Sequence, residues 1–80
     1  EAIDEAYIML ANKSTETYLA FEIIGKSYSK LKKYNESINF FDKVIEINPN
    51  YIWGYLNKAH SLHFLEKYNE AIECCDKAIN

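Results

Sequence analysis

Between Tyr18 and Leu31 the residues Phe21, Ile24, Gly25 and Tyr28 recur at intervals of three and four, which places them on one face of a helix. A second helix starts at Asn35 and buries a stripe of Ile38, Phe41, Val44 and Ile45. It ends at Asn48, Pro49 and Asn50, because proline cannot continue the backbone ladder and disfavours helical geometry in the residue before it. A third segment turns Tyr55, Ala59 and Leu62 inward, and a fourth carries Ile72, Cys75 and Ile79. The opening EAIDEAYIML reads as one further helix with Ala2, Ala6 and Met9 inward, followed by a loop from Asn12 to Glu16. No stretch sustains the apolar-polar alternation of a strand, so the pattern predicts an all-α chain. Asn35, Asn50 and Asn69 are placed as N-caps, and Ser14 or Thr15 would cap the helix that follows the first loop. The turns around Lys32 to Tyr34 and Glu66 to Tyr68 are short, which makes the flanking helices antiparallel.

The second layer of pattern is a repeat. LKKYNESINFFDKVI, from Leu31 to Ile45, returns as LEKYNEAIECCDKAI, from Leu65 to Ile79, at a displacement of 34 residues. Self-similarity at a fixed period marks a supersecondary unit that stacks on copies of itself and leaves a hydrophobic face for its neighbour. The chain divides into residues 1–14, the second helix of a preceding repeat with its loop, residues 18–51, a full repeat, and residues 52–80, a second repeat with a truncated end. Together these make one segment. Glu1 in place of a methionine and a stop at Asn80 inside the second copy predict a piece of a longer array.

A period of 34 with two helices per unit resembles the tetratricopeptide repeat. In the first full copy Phe21, Gly25, Tyr28, Ser37, Phe41 and Pro49 take the pattern positions, with Val44 where alanine is usual. In the second, Tyr55, Ala59, Leu62, Ala71, Cys75 and Ala78 take them, and Leu62 and Cys75 replace aromatics. The resemblance implies antiparallel helical hairpins stacked as a right-handed superhelix. It also implies a non-catalytic module for protein-protein interaction, in which the first helices of successive repeats line a concave groove for a peptide or a partner helix. The positions that fall on that groove are Leu19, Glu22, Ile23, Lys26 and Lys30 on one helix, then Trp53, Leu56, Asn57, His60, His63 and Phe64 on the next. Trp53, Leu56 and Phe64 would supply apolar area, and Asn57 would orient a peptide backbone. Some family members hold acidic C-terminal tails in a clamp of lysine and asparagine. Asn57 falls on one clamp asparagine, but Glu22 replaces a lysine and would repel a carboxylate, which favours a mixed apolar and polar ligand. Lys26, Lys30 and His60 still favour some negative charge in it.

Composition narrows the alternatives. With 49% hydrophobic and 26% charged residues the chain belongs to the globular range. A formal charge of −3 and a pI near 5.3 argue against nucleic acid as a partner. No run of about 18 apolar residues and no secretory leader pattern is present, so no membrane partner is expected and a cytoplasmic setting is the default. Cys74 and Cys75 are adjacent in a helix, where geometry disfavours a bridge, and suit a reducing compartment; Cys75 is expected in the core and Cys74 near the surface.

Little here could carry chemistry. His60 and His63 share a helix face, but no CxxC, no HExxH and no third ligand at a sensible spacing accompanies them, so no metal is expected. Gly25 and Gly54 both lie inside helices, which leaves no phosphate-cradling loop and no cofactor. No enzyme activity is expected. The rival reading is structural: a spacer or self-association unit acting through its apolar stacking ends, Ala2 to Met9 and Ile72 to Ile79, through which the segment would form a homodimer.

Overall fold

The structure is a computed structural model and describes residues 17–79. The opening helix with Ala2, Ala6 and Met9, its loop, and the caps expected at Ser14 or Thr15 lie outside the described residues. Four helices follow one another: α1 (Thr17–Lys30), α2 (Tyr34–Ile47), α3 (Ile52–Phe64) and α4 (Tyr68–Ile79). The described residues contain no strand.

Each hairpin turn is closed by its main chain. The Lys33 N–H donates to the Tyr28 carbonyl at 2.9 Å and the Lys32 N–H to that of Ser29 at 3.0 Å, the paired bonds of a Schellman motif. Thirty-four residues on, the Lys67 N–H donates to Leu62 at 2.9 Å and that of Glu66 to His63 at 3.0 Å. The motif needs a left-handed residue, and Lys32 and Glu66 both take φ 62°. The carbonyls of Lys33 and Lys67 then accept from Ser37 and Ala71, each at 3.0 Å, so one residue closes a helix and opens the next. This corrects the expected caps. Asn35 and Asn69 lie inside the first turns of α2 and α4, and Lys33 holds the cap position of α2 without a side-chain bond. Asn50 does not cap α3 either: Tyr51 stands there, also without a side-chain cap bond.

Within the first hairpin, Phe41 lies over Gly25 so closely that a Cβ at Gly25 would come within 2.6 Å of the Phe41 Cε1. Phe40 stacks on Tyr28, with centroids 5.5 Å apart and planes 10° from parallel, and meets Phe21 at 6.1 Å. The side chains around Ala20 and Ile24 form one core; those around Ala59, Leu62 and Cys74 form the other. The two repeats join where α2 packs antiparallel on α3. Along that seam Ser37 meets Ser61 at 2.7 Å, Asp42 pairs with Lys58 at 2.6 Å, and Gly54 lies against Val44 and Ile45. Burial pulls the Lys58 ammonium down, but the hydrogen bond and charge of Asp42 outweigh it and leave the group raised.

Ile24, Gly25, Phe41, Val44, Ala59 and Leu62 are buried as their spacing predicts, and Phe21, Tyr28, Ile38, Ile45 and Tyr55 are half-buried. The fourth helix departs from expectation. Ile72 is 58% exposed and Ile79 82%, while Cys74 is buried and Cys75 only half-buried, the reverse of the predicted pair. Phe41 is buried with its ring over Gly25 of α1, whereas Cys75, at the same repeat position, is the smaller side chain and borders a hollow beside Leu56 and His60. Cys74 is buried beside Ala59 and Leu62, and Cys75 packs against the same cluster from its edge.

Candidate protein-interaction cleft

The first helices of the two repeats, α1 and α3, lie side by side and touch directly. Between them runs a cleft of about 530 Å³. Lys26, Ser29 and Lys30 line it from α1, Trp53, Leu56, Asn57 and His60 from α3, and the buried Phe41 forms its base. One helical period sets this geometry: Lys26 and Lys30 are four apart, as are Trp53 and Asn57 and also Leu56 and His60, so each pair shares a helix face. Trp53 is 57% exposed and takes the repeat position of Leu19.

Six of the residues expected on a groove are thus brought together: Lys26, Lys30, Trp53, Leu56, Asn57 and His60. The others are placed elsewhere. Leu19 and Ile23 are half-buried and do not line the cleft, and Ile23 packs against Ala20 and Ile24. Phe64 stacks face to face on Tyr34 of the preceding turn at 4.9 Å, with His60 and His63 edge-on to it at 4.9 and 5.6 Å. His63 also meets Tyr68 at 5.5 Å. It borders a second hollow, of about 470 Å³, with Ile72 and Cys75 of α4, and Leu56 and His60 separate the two hollows.

Glu22 departs furthest from expectation. It is only 9% exposed, its Oε1 accepts from the Tyr51 hydroxyl at 2.9 Å, and its Oε2 accepts from the Asn57 side-chain amide at 3.0 Å. Both carboxylate oxygens are therefore engaged in tying α1 to Tyr51 and to α3. A carboxylate can only accept, so Asn57 must present its NH2 to Glu22, which fixes the orientation of that amide. Burial, then the hydrogen bond to Glu22 and its charge, push the Tyr51 hydroxyl up to about 12. Tyr18 packs edge-on against Tyr51 at 5.0 Å. Sequence reasoning missed Ser29 and Tyr51. Ser29 sits at the repeat position of His63, which the comparison of copies does bring out; nothing short of the packing of α1 on α3 points to Tyr51.

Among the described residues no carboxylate lines the cleft, and Lys26 and Lys30 give it positive charge. Outside it, burial pushes the Cys74 thiol up, and the pull of Lys58 and Lys77 does not cancel the effect, so this sulfur is held as the thiol. Among the described residues no three His, Cys, Asp or Glu side chains are grouped to hold a metal ion, and no helix is long and apolar enough to cross a membrane. The arrangement offers shape, apolar area and positive charge.

Comparison with known proteins agrees with this architecture. A tetratricopeptide repeat profile matches residues 19–51, and a second tetratricopeptide repeat profile matches residues 40–73. The chain is 36% identical over 55 residues to the Hsp70-Hsp90 organising protein of Plasmodium falciparum, covering 69% of this chain and 10% of that protein. It is 38% identical over 65 residues to the STIP1 homolog of Dictyostelium discoideum, covering 81% and 11%. To DnaJ homolog subfamily C member 7 of Mus musculus it is 36% identical over 53 residues, covering 66% and 11%. The chain thus spans about a tenth of the length of these relatives. With a 34-residue period, two helices in each unit and hairpins stacked along α2 and α3, the chain belongs to the tetratricopeptide repeat family, whose members are protein-interaction modules.

Proposed function

We propose that this segment is a non-catalytic interaction module that takes a peptide or a partner helix in the cleft between α1 and α3. The observation that carries the reading is the cleft itself. Its volume of about 530 Å³ is lined by an exposed tryptophan and a leucine facing two lysines, with the polar side chain of Asn57 between. Large aromatic area beside a few fixed polar groups is the usual make-up of an energetic centre for binding. The partner is a protein on this reading, in keeping with relatives one of which is named as an organising protein of Hsp70 and Hsp90. Residues 18–51 and 52–80 are the two units that build the site.

Trp53 is the sole tryptophan, so its fluorescence reports the site directly. Peptides selected by display on this chain are expected to shift that emission and to lose most of their affinity on Trp53→Ala. If selected peptides bind Trp53→Ala and Lys26→Ala as tightly as the parent chain, the cleft is not the site.

A second reading has its own observation. The outer face of α4 leaves Ile72 exposed beside the second hollow and Ile79 exposed at the end of the helix, which favours self-association through that end. Concentration-dependent sedimentation without peptide binding would select it.

A further inference from the structure

We infer that the open face of α4 docks a partner helix of defined pattern: a small residue, a basic one four residues on, alanine at seven and an aromatic at ten. This goes beyond the cleft reading and does not depend on it. The second hollow, of about 470 Å³, presents Tyr68, Ala71, Ile72, Cys75 and Asp76 of α4. Thirty-four residues earlier the same positions are Tyr34, Ser37, Ile38, Phe41 and Asp42 of α2, and there α3 packs on the helix. The seam between α2 and α3 is therefore a template for what fits on α4.

Three contacts of that seam carry over unchanged. Gly54 brings α3 close to Val44 and Ile45, which lie 3.1 and 3.2 Å from where a Cβ would stand, and α4 has Ala78 and Ile79 in their places. Lys58 pairs with Asp42, while the exposed Asp76 has no such lysine among the described residues. Phe64 stacks on Tyr34 at 4.9 Å, whereas Tyr68 is 51% exposed and meets His63 edge-on. The fourth contact changes. Ser61 bonds to Ser37 at 2.7 Å, but α4 has Ala71 at that position, so a serine in the docked helix would lose its partner and alanine fits better.

The same face disfavours a second copy stacked head to tail. The helix that such a copy would offer is α1, which has Ala20, Ile24, Ser27 and Lys30 where α3 has Gly54, Lys58, Ser61 and Phe64. Ile24, fully buried in its own repeat, would oppose the Asp76 carboxylate, and Lys30 would stand where a ring should stack on Tyr68. The side chains of α3 come closer to the pattern but are spent on α2. The occupant is accordingly a helix of a partner and not a copy of this chain.

The test titrates the isotope-labelled chain with peptides of residues 51–65, each held helical by a hydrocarbon staple on the face away from the four patterned side chains. The peptide with Ser61→Ala should shift the amides of Tyr68, Ile72, Cys75 and Asp76 and bind about fivefold more tightly than the unchanged peptide. Ala71→Ser in the chain should reverse that order. Lys58→Gln in the peptide should weaken binding to the chain about threefold and leave binding to the Asp76→Asn chain unaltered. A stapled α1 peptide should leave α4 unmoved. Equal binding of the serine and alanine peptides to both forms of the chain would overturn the inference. So would α4 shifts produced by the α1 peptide or by raising the concentration of the chain alone. Absence of α4 shifts with every peptide would overturn it too, and shifts confined to Lys26, Trp53 and Asn57 would do so while upholding the cleft.

Discussion

At φ 62° the Cβ of Lys32 and of Glu66 crowds the following carbonyl, at a cost of about 1–2 kcal/mol that glycine would not incur. The Schellman bonds of each turn hold the residue there. Lys32→Gly and Glu66→Gly should each raise stability by about 0.5–1 kcal/mol after the entropic penalty of glycine, measured as a shift of the urea midpoint. Neither residue advertises this conformation, so the short turns were legible in the sequence but their geometry was not. The expected asparagine caps failed for the same reason, because main-chain bonds already tie the turn. Tyr51 gives a second test at this scale. Its hydroxyl titrates at 10.0 when unfolded and near 12 when folded, so the folded state holds the proton longer. The stability it contributes is whole below pH 10 and is lost as pH rises toward about 12. Against wild type, Tyr51→Phe should show a shallower fall of stability across that interval, by denaturant titration at each pH; parallel curves would contradict the bond to Glu22.

Between elements, two glycines set two different approaches. A methyl at Gly25 would meet the ring of Phe41 at 2.6 Å, and that ring is fully buried and has little room to swing aside. At Gly54 it would meet methyl-bearing ends of Val44 and Ile45 at 3.1 and 3.2 Å, which need yield only a few tenths of an ångström. Gly25→Ala is therefore expected to cost about 1–3 kcal/mol. Gly54→Ala should lie within about 1 kcal/mol of neutral, because helix propensity offsets the tighter contact. Thermal or urea unfolding of the pair would check the ranking. The serine contact across the repeat seam is also testable. Ser37 gives its hydrogen to the Tyr34 carbonyl at 2.8 Å, so Ser61 must donate to Ser37. Each single alanine variant should cost about 1 kcal/mol and the double variant no more than the larger single, since a buried bond removed from both sides leaves no orphan. Helical period and the 34-residue echo made the hairpins legible. They did not reveal which of Cys74 and Cys75 is buried, because both pack on the cluster of Ala59 and Leu62 and only the open hollow beside Cys75 separates them.

For the molecule as a whole, the echo between LKKYNESINFFDKVI and LEKYNEAIECCDKAI specifies the scaffold, and the distinguishing chemistry lies where the first helices differ. Lys26 against His60, Lys30 against Phe64 and Leu19 against Trp53 are such pairs. The resemblance to the repeat family assigned Lys26, Lys30, Trp53, Leu56, Asn57 and His60 to a groove, and these six line the cleft. It misjudged Glu22, since a helix-face argument does not register that Tyr51, just before α3, and Asn57, on α3, arrive to engage it. The apolar face of α4 is a separate surface. Ile72→Lys should abolish any self-association through it, seen by sedimentation, and change unfolding free energy by no more than about 0.5 kcal/mol because the side chain is largely exposed. The central claim is that a peptide enters between α1 and α3. Its most direct measurement is an amide-shift map of the whole chain during titration with a peptide selected by display on it. The account predicts that the largest changes fall on Lys26, Lys30, Trp53 and Asn57, saturating together. Changes confined to Ile72, Cys75 and Ile79, with those four residues unmoved, would contradict it.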